Sequence, residues 1–211
     1  MNDPLFSPLV GCVVMASGRS QRFGSNKLLA PFGGQPMLCR ALALARCPLL
    51  DVRLAVTRCP EVAQLCRSAG VPVLVHDQPL RSDTVALGLS ALLAQQPELA
   101  GCLFLPGDQP LLRPETLARM LREFRSAGTQ SGQRILRLAW TPPDGPCQMG
   151  SPVLFGRDYF EPLLHLPPGQ GGSAVVRQHP EQLRLVQAQS PLELQDADTP
   201  EALRALEAQL E

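Results

Sequence analysis

The chain has 211 residues, 45% of them hydrophobic, with 19 basic and 19 acidic side chains and no net charge. That is enough length and apolar content for one domain with a sizeable core. Balanced charge leaves no extended basic face for nucleic acid, and aromatic residues at 4% leave no stacking platform for single strands.

The first strand is read at 10–16, an apolar run that breaks at Ala16-Ser17-Gly18. Arg19, Arg22 and Lys27 follow with no acid among them. A buried strand ending in a glycine-bearing loop presents backbone N–H groups at the sheet's carboxyl edge, where oriented amides and cations both favour an anion. A triphosphate suits this loop, the alternative being a basic surface loop between strand and helix. Neither familiar nucleotide loop is present. GxxxxGK[ST] fails because Leu28 follows Lys27, and GxGxxG fails because Gly18 and Gly24 stand at the wrong interval.

Helices are expected near 36–46, 60–69, 83–95 and 114–126, alternating with strands near 52–57, 72–76 and 101–106. The last helix places Leu117, Met120, Leu121 and Phe124 at helical spacing. This alternation implies an α/β domain, a mostly parallel sheet with helices on both faces. Functional residues of such sheets gather at carboxyl ends of strands near a switch point, as Ala16–Gly18 and Gly107–Asp108 do. Later come strands at 135–140 and 152–155, a helix from Arg157, a glycine stretch at Gly169, Gly171 and Gly172, a strand at 183–186 and a helix from Pro200. No repeat or hydrophilic linker divides the chain, so a single domain 1–211 is expected. Its N-terminal part, about 8–127, would bind nucleotide and its C-terminal part, about 128–211, the acceptor.

No stretch approaches the roughly 20 apolar residues that cross a bilayer. The opening MNDPLFSPLV also lacks a basic segment before an apolar run, so the expected location is cytoplasmic, with no membrane or nucleic-acid partner. Seven scattered cysteines, none in a CxxC pair, fit neither zinc nor a disulfide framework. Cys12 and Cys102 lie in apolar runs and read as small core residues. His76, His165 and His179 have no partner at ligand spacing and read as surface or boundary residues, and Trp140 as core packing.

The acids carry the next signal. Asp108 ends an apolar strand, where an unpaired carboxylate is costly. It either faces the cationic loop through a divalent metal that bridges phosphates, or caps the following segment. In LQDADTPEAL, Asp196 and Asp198 alternate, so an extended segment projects both to one side. Asp198 or Thr199 would also serve as N-cap of the last helix, which does not exclude metal binding. Ser82, Asp83 and Thr84 open a helix and would cap it or meet a nucleobase and ribose.

Together these motifs resemble the molybdenum cofactor nucleotidyltransferases, Rossmann-like NTP transferases whose first loop has the form (A/G)-x-G-x-S-x-R-x-G-x-x-K. Here it reads Ala16-Ser17-Gly18-Arg19-Ser20-Gln21-Arg22-Phe23-Gly24-Ser25-Asn26-Lys27. Gly33-Gly34-Gln35-Pro36, Gly107-Asp108-Gln109-Pro110, Gly150-Ser151-Pro152 and Asp196-Ala197-Asp198-Thr199-Pro200-Glu201 follow in family order. Gly-Asp-Gln-Pro and Asp-x-Asp-Thr-Pro are more similar to the cytidylyltransferase branch, and within it to accessory proteins of molybdenum hydroxylases.

The resemblance implies transfer of CMP from CTP to the phosphate of molybdopterin, with pyrophosphate released and a molybdenum hydroxylase apoenzyme as a further partner. It implies that Ala16, Ser17, Gly18, Arg19, Ser20 and Arg22 hold the departing phosphates and that Lys27 neutralises charge at the α-phosphate. Asp108 would hold Mg²⁺, with Asp198 as second carboxylate, and Ser82, Thr84 and Gly107 would complete the nucleotide site. Two departures stand out. Ser17 replaces a usual alanine or glycine, and Gly169-Gln170-Gly171-Gly172-Ser173-Ala174 lacks the acid and arginine of Gly-Asp-x-Gly-Ala-Arg. Two other readings stay open. One is a sugar- or polyol-phosphate nucleotidyltransferase, which usually has a longer chain. The other is a non-catalytic carrier of the pterin, against which Arg22, Lys27, Asp108 and Asp198 argue.

Overall fold

The computed structural model of the chain describes residues 7–18, 20 and 23–210, so Arg19 and Arg22 lie outside the described residues. Strand β1 (Val10–Ala16) forms because a short β-branched run alternates its side chains between two faces. Val10, Cys12, Val14 and Ala16 enter one core and Val13 the other. β1 is an interior strand of a sheet that buries both its faces.

Where a helix is expected from residue 36, the chain first makes a small hairpin of β2 (Pro31–Phe32) and β3 (Gln35–Pro36). Gly33 and Gly34, with φ of 59° and 79°, supply the left-handed pair that a tight hairpin turn requires. Helix α1 (Leu38–Ala45) follows two residues later than the sequence pattern suggests. Next come β4 (Val52–Thr57), α2 (Pro60–Ser68), β5 (Val73–Val75), α3 (Arg81–Gln95), β6 (Gly101–Pro106) and α4 (Pro114–Arg125). These all correspond to expected elements.

The C-terminal part adds β7 (Ile135–Trp140) and β8 (Gln148–Gly156), then α5 (Phe160–Leu164) after one turn of 3₁₀ helix. It ends with α6 (Ser173–Gln178), β9 (Leu183–Gln187) and α7 (Pro200–Glu207). β8 begins four residues before the expected strand because Met149 and Gln148 pair with Ala139 and Trp140. Helix α6 has no counterpart in the sequence reading.

The seven strands lie in the order β5-β4-β1-β6-β8-β7-β9. β8 is antiparallel to both its neighbours and every other pair is parallel, giving the mostly parallel α/β sheet expected. The sheet is continuous across the two parts of the chain. From β1 the chain steps outward through β4 to β5, then returns to the other side of β1 as β6. The switch point therefore lies between the carboxyl ends of β1 and β6, as the sequence suggests.

One core packs α1, α2, α4 and α7 against the sheet, and the other packs α3, α5 and α6 on the opposite face. Cys12 and Cys102 are fully buried, one in each core, and burial pushes the Cys12 thiol up to about 12. Every cysteine is a free thiol. Trp140 packs half-buried against the first core. Among the described residues no helix is long and apolar enough to cross a membrane.

Gly156 closes β8 where the chain passes under the 3₁₀ turn at Gly128–Gln133. A Cβ there would stand 2.2 Å from the Gly132 carbonyl oxygen and 2.4 Å from that of Ser131, and backbone cannot yield as a side chain can. Gly156→Ala should cost at least about 2 kcal/mol. In thermal unfolding that lowers Tm by roughly 4–8 °C, and an unchanged Tm would show that the turn is free to move away.

Candidate active site

The site grows from the ends of β1 and β6. After β6, Gly107 and Asp108 turn away from the sheet, and the Gly107 N–H donates to Met15 O at 3.2 Å. The Asp108 carbonyl then accepts from Ala197 N at 2.9 Å, which brings the segment 195–199 alongside. Two further ties hold that segment in place. Gln109 Nε2 donates to Leu194 O at 3.3 Å, and fully buried Glu193 accepts from Arg113 N and Gln189 N. Thr199 Oγ1 accepts from Ala202 N at 3.1 Å, so threonine caps α7. Asp198 is thereby left for the site.

Lys27 opens a short 3₁₀ turn, Lys27–Leu29, with the Asn26 side chain accepting from Leu28 N. Its own N–H donates to Ser20 Oγ at 3.1 Å. Ser20 has φ +48°, a left-handed conformation that costs a non-glycine residue about 1 kcal/mol. That strained residue fixes the backbone of Lys27.

Lys27 Nζ donates to Asp108 Oδ2 at 2.6 Å and to Asp198 Oδ1 at 2.7 Å. Side-chain exposure is 9% for the lysine, 25% for Asp108 and 41% for Asp198, so the cluster opens outward on its acidic side. Burial by itself would depress the lysine, but the charge and hydrogen bonds of Asp108, then those of Asp198, outweigh it. The net effect raises its pKa, and the ammonium stays charged.

Asp196 is the third carboxylate. Desolvation first, then the Asp108 charge, push it up to about 6, against a hydrogen bond with Gln109 and the opposing charge of Lys27.

The other lip of the site is fixed from β4. Thr57 Oγ1 donates to Ala16 O at 3.0 Å, and Arg58 donates to Ser17 O through Nε at 3.1 Å and Nη2 at 2.6 Å. Ser17 Oγ donates to Val56 O at 3.1 Å and lies 2.8 Å from His76 Nε2. With its one proton on Val56, the hydroxyl accepts from His76 Nε2–H, the neutral tautomer. Burial, then the Arg58 charge, lower the His76 pKa, in keeping with a neutral ring. Ser17, the residue that departs from the expected loop, is thus a designed joint. His76 is its partner rather than an uninvolved boundary residue.

These elements enclose a cavity of about 440 Å³ over the switch point. Ser17, Gly18, Thr84, Asp108 and Asp198 line it as the sequence suggests, and so do Arg58, Arg81, Phe104, Ser151, Phe155 and Asp196. Other expected residues lie behind the surface. Ala16 points into the core, Gly107 packs against Leu38, Leu28 and Met15 O, and Ser82 Oγ accepts from Gly169 N at 3.1 Å. These three position the wall rather than form it. Neither Ser82 nor Thr84 caps α3, because Asp83 Oδ2 takes that role on Leu80 N at 2.9 Å.

Among the described residues no group of three or more His, Cys, Asp or Glu side chains is spaced to hold a metal ion by itself. Asp108 and Asp198 nevertheless converge on one cation. Two carboxylates completed by phosphate oxygens and water are the donor set that suits magnesium.

The sequence profile of the MobA-like NTP transferase domain matches residues 12–183. A probable molybdenum cofactor guanylyltransferase from Rhodopirellula baltica is 32% identical over 126 residues, 58% of this chain and 59% of that protein. The chain thus matches less than two thirds of this relative's length. Among solved structures, Rv0371c from Mycobacterium tuberculosis H37Rv is 26% identical with a TM-score of 0.74, covering 96% of this chain and 99% of that one. The same protein in complex with manganese has a TM-score of 0.67 at 25% identity, covering 96% and 100%. A nucleotidyl transferase from Methanothermobacter shares the fold at 23% identity and a TM-score of 0.76, covering 95% and 96%.

Because Asp196 has a raised pKa, the folded chain holds a proton that the unfolded chain releases near 3.8, and stability falls as pH rises from about 4 to about 6. Asp196→Asn removes that loss. Its Tm should exceed wild type at pH 7.5, with the gain shrinking as pH falls to 4.5. A gain independent of pH would mean that Asp196 is not desolvated.

Proposed function

The chain belongs to the MobA-like NTP transferase domain family, and from that premise we propose that it transfers CMP from CTP to the phosphate of molybdopterin. The observation that carries this reading is the Lys27 ammonium shared between Asp108 and Asp198 at the switch point, beneath the cavity. In-line transfer between two polyanions needs charge neutralised and phosphates held in place rather than acid–base chemistry. An oxygen of the acceptor phosphate attacks the α-phosphorus, and the bond to the β-phosphate oxygen breaks with its electron pair leaving on pyrophosphate. No proton transfer is required when the acceptor oxygen is already anionic.

Asp108 and Asp198 would hold Mg²⁺, whose charge neutralises phosphate oxygens. Lys27 exchanges its carboxylates for phosphate oxygens when nucleotide binds, so its ammonium meets the charge that develops at the α-phosphate. Gly18 and the loop amides, with Arg19 and Arg22 outside the described residues, would take the departing phosphates. Gly107-Asp108-Gln109-Pro110 and Asp-x-Asp-Thr-Pro support cytidine. The likeness to the probable molybdenum cofactor guanylyltransferase of Rhodopirellula supports guanosine.

Pyrophosphate release with molybdopterin, magnesium and each nucleoside triphosphate tests the reading. The expected result is a higher kcat/KM for CTP than for GTP. A GTP preference transfers the same mechanism to the guanylyl branch, and no release with any triphosphate removes molybdopterin as the acceptor.

Asp108→Asn, nearly isosteric but without the charge, should retain less than about a tenth of wild-type turnover at saturating magnesium. Lys27→Ala should lower kcat roughly a hundred- to thousandfold, about 3–4 kcal/mol, with a smaller change in the KM for CTP. Normal kcat with weakened CTP binding would instead make Lys27 a ground-state clamp.

A further inference from the structure

The late glycine segment carries no arginine, yet the fold brings one to it from another element. Arg81 is the first residue of α3, and it lines the cavity beside Gly172 and Ser173. The Gly171 backbone lies against its side chain. A Cβ on Gly171 would stand 3.1 Å from Arg81 Nε, 3.3 Å from Cδ and 3.7 Å from Cζ. The hydrogen bond from Gly169 N to Ser82 Oγ ties the same two segments together. A side chain at 171 would press on the guanidinium by a few tenths of an ångström, so the glycine leaves room for the arginine here.

Arg81 is also available. Among the described residues its guanidinium has neither a hydrogen-bond partner nor a carboxylate at ion-pair distance. Arg58, the other arginine lining the cavity among the described residues, is committed to Ser17 O. Asp83, the acid of the same helical turn, is occupied by Leu80 N. Asp108, Asp196 and Asp198 also line the cavity; Lys27 already opposes the charge of Asp108 and Asp198, so a phosphate bound away from the lysine needs a cation of its own. A planar guanidinium suits that task, since its fork matches two phosphate oxygens at once.

We propose that Arg81 anchors the phosphate monoester of the acceptor, so that the cavity selects phosphorylated acceptors over those offering only a hydroxyl. This rests on the nucleotidyl-transfer reading above and goes beyond it by assigning the acceptor phosphate to a residue outside the loop motifs.

Equilibrium binding separates this assignment from the transfer reaction. Metal-free molybdopterin is titrated by its own fluorescence and CTP by calorimetry, against wild type, Arg81→Ala and Arg81→Lys. Arg81→Ala should weaken molybdopterin binding about ten- to hundredfold while CTP affinity stays within about twofold. Arg81→Lys should recover only part of the loss, because an ammonium lacks the fork. With molybdopterin whose phosphate has been removed enzymatically, wild type and Arg81→Ala should bind alike.

Equal molybdopterin affinity in wild type and Arg81→Ala overturns the assignment, as does a loss that falls on CTP. So does a wild-type protein that does not bind molybdopterin. Pyrophosphate release judges the reaction independently. A phosphate-dependent Arg81 effect without release supports the anchor and removes the transfer.

Discussion

One ammonium between two carboxylates organises this protein. Lys27, Asp108 and Asp198 come from three distant stretches of chain, and each is delivered by a different device. A strained serine fixes the lysine's backbone, the end of β6 projects Asp108, and a threonine cap leaves Asp198 out of α7. Without the lysine, neighbouring carboxylates would repel by roughly 4 kcal/mol at 4 Å separation in a medium of intermediate dielectric constant. Partly exposed, the triad is open to exchange: whatever brings positive charge to the acids releases the lysine. Asp196, one step further out, has its proton affinity raised first by burial and then by the Asp108 charge.

Around that centre the fold separates fixed parts from available ones. Arg58 and Thr57, at the end of β4, lock the carbonyls of Ser17 and Ala16, so the mouth of the first loop is set by the sheet. Ser17 adds a side-chain joint to His76, where a smaller residue would leave both the ring nitrogen and the Val56 carbonyl without this partner. Glu193, fully buried, does comparable work beneath the acids by accepting two backbone N–H groups. Thr57 and Glu193 are thus buried, hydrogen-bonded supports for a site that opens outward on its acidic side.

Much of this architecture was legible in the residues. Alternation of apolar runs gave β1, β4 and β6 at their observed bounds, and Asp108 and Asp198 stood out because acids at strand tips and helix starts need partners. The hairpin at residues 31–36 escaped a helical-period search because two glycines with left-handed backbones act through turn geometry, which periodicity does not register. The early start of β8 was masked by turn-forming residues that pair only because β7 is already in place. Arg81 and His76 were unreadable for a different reason: their partners, Gly171 and Ser17, are 90 and 59 positions away in sequence. Only the tertiary path makes either one meaningful. Gly107, conversely, sat inside a motif and drew attention for company rather than for contact.

The reversed direction of β8 has an evolutionary consequence. Because it alone runs against the sheet, its first half, with Ser151 and Val153, arrives at the edge where the parallel strands finish. The chain leading into it is the exposed turn at 141–147 rather than a helix. Lengthening or recolouring that turn would reshape one wall of the cavity while the lysine and its acids kept their register. A lineage built on this scaffold has a route to a reshaped cavity that leaves the Lys27, Asp108 and Asp198 triad inherited intact.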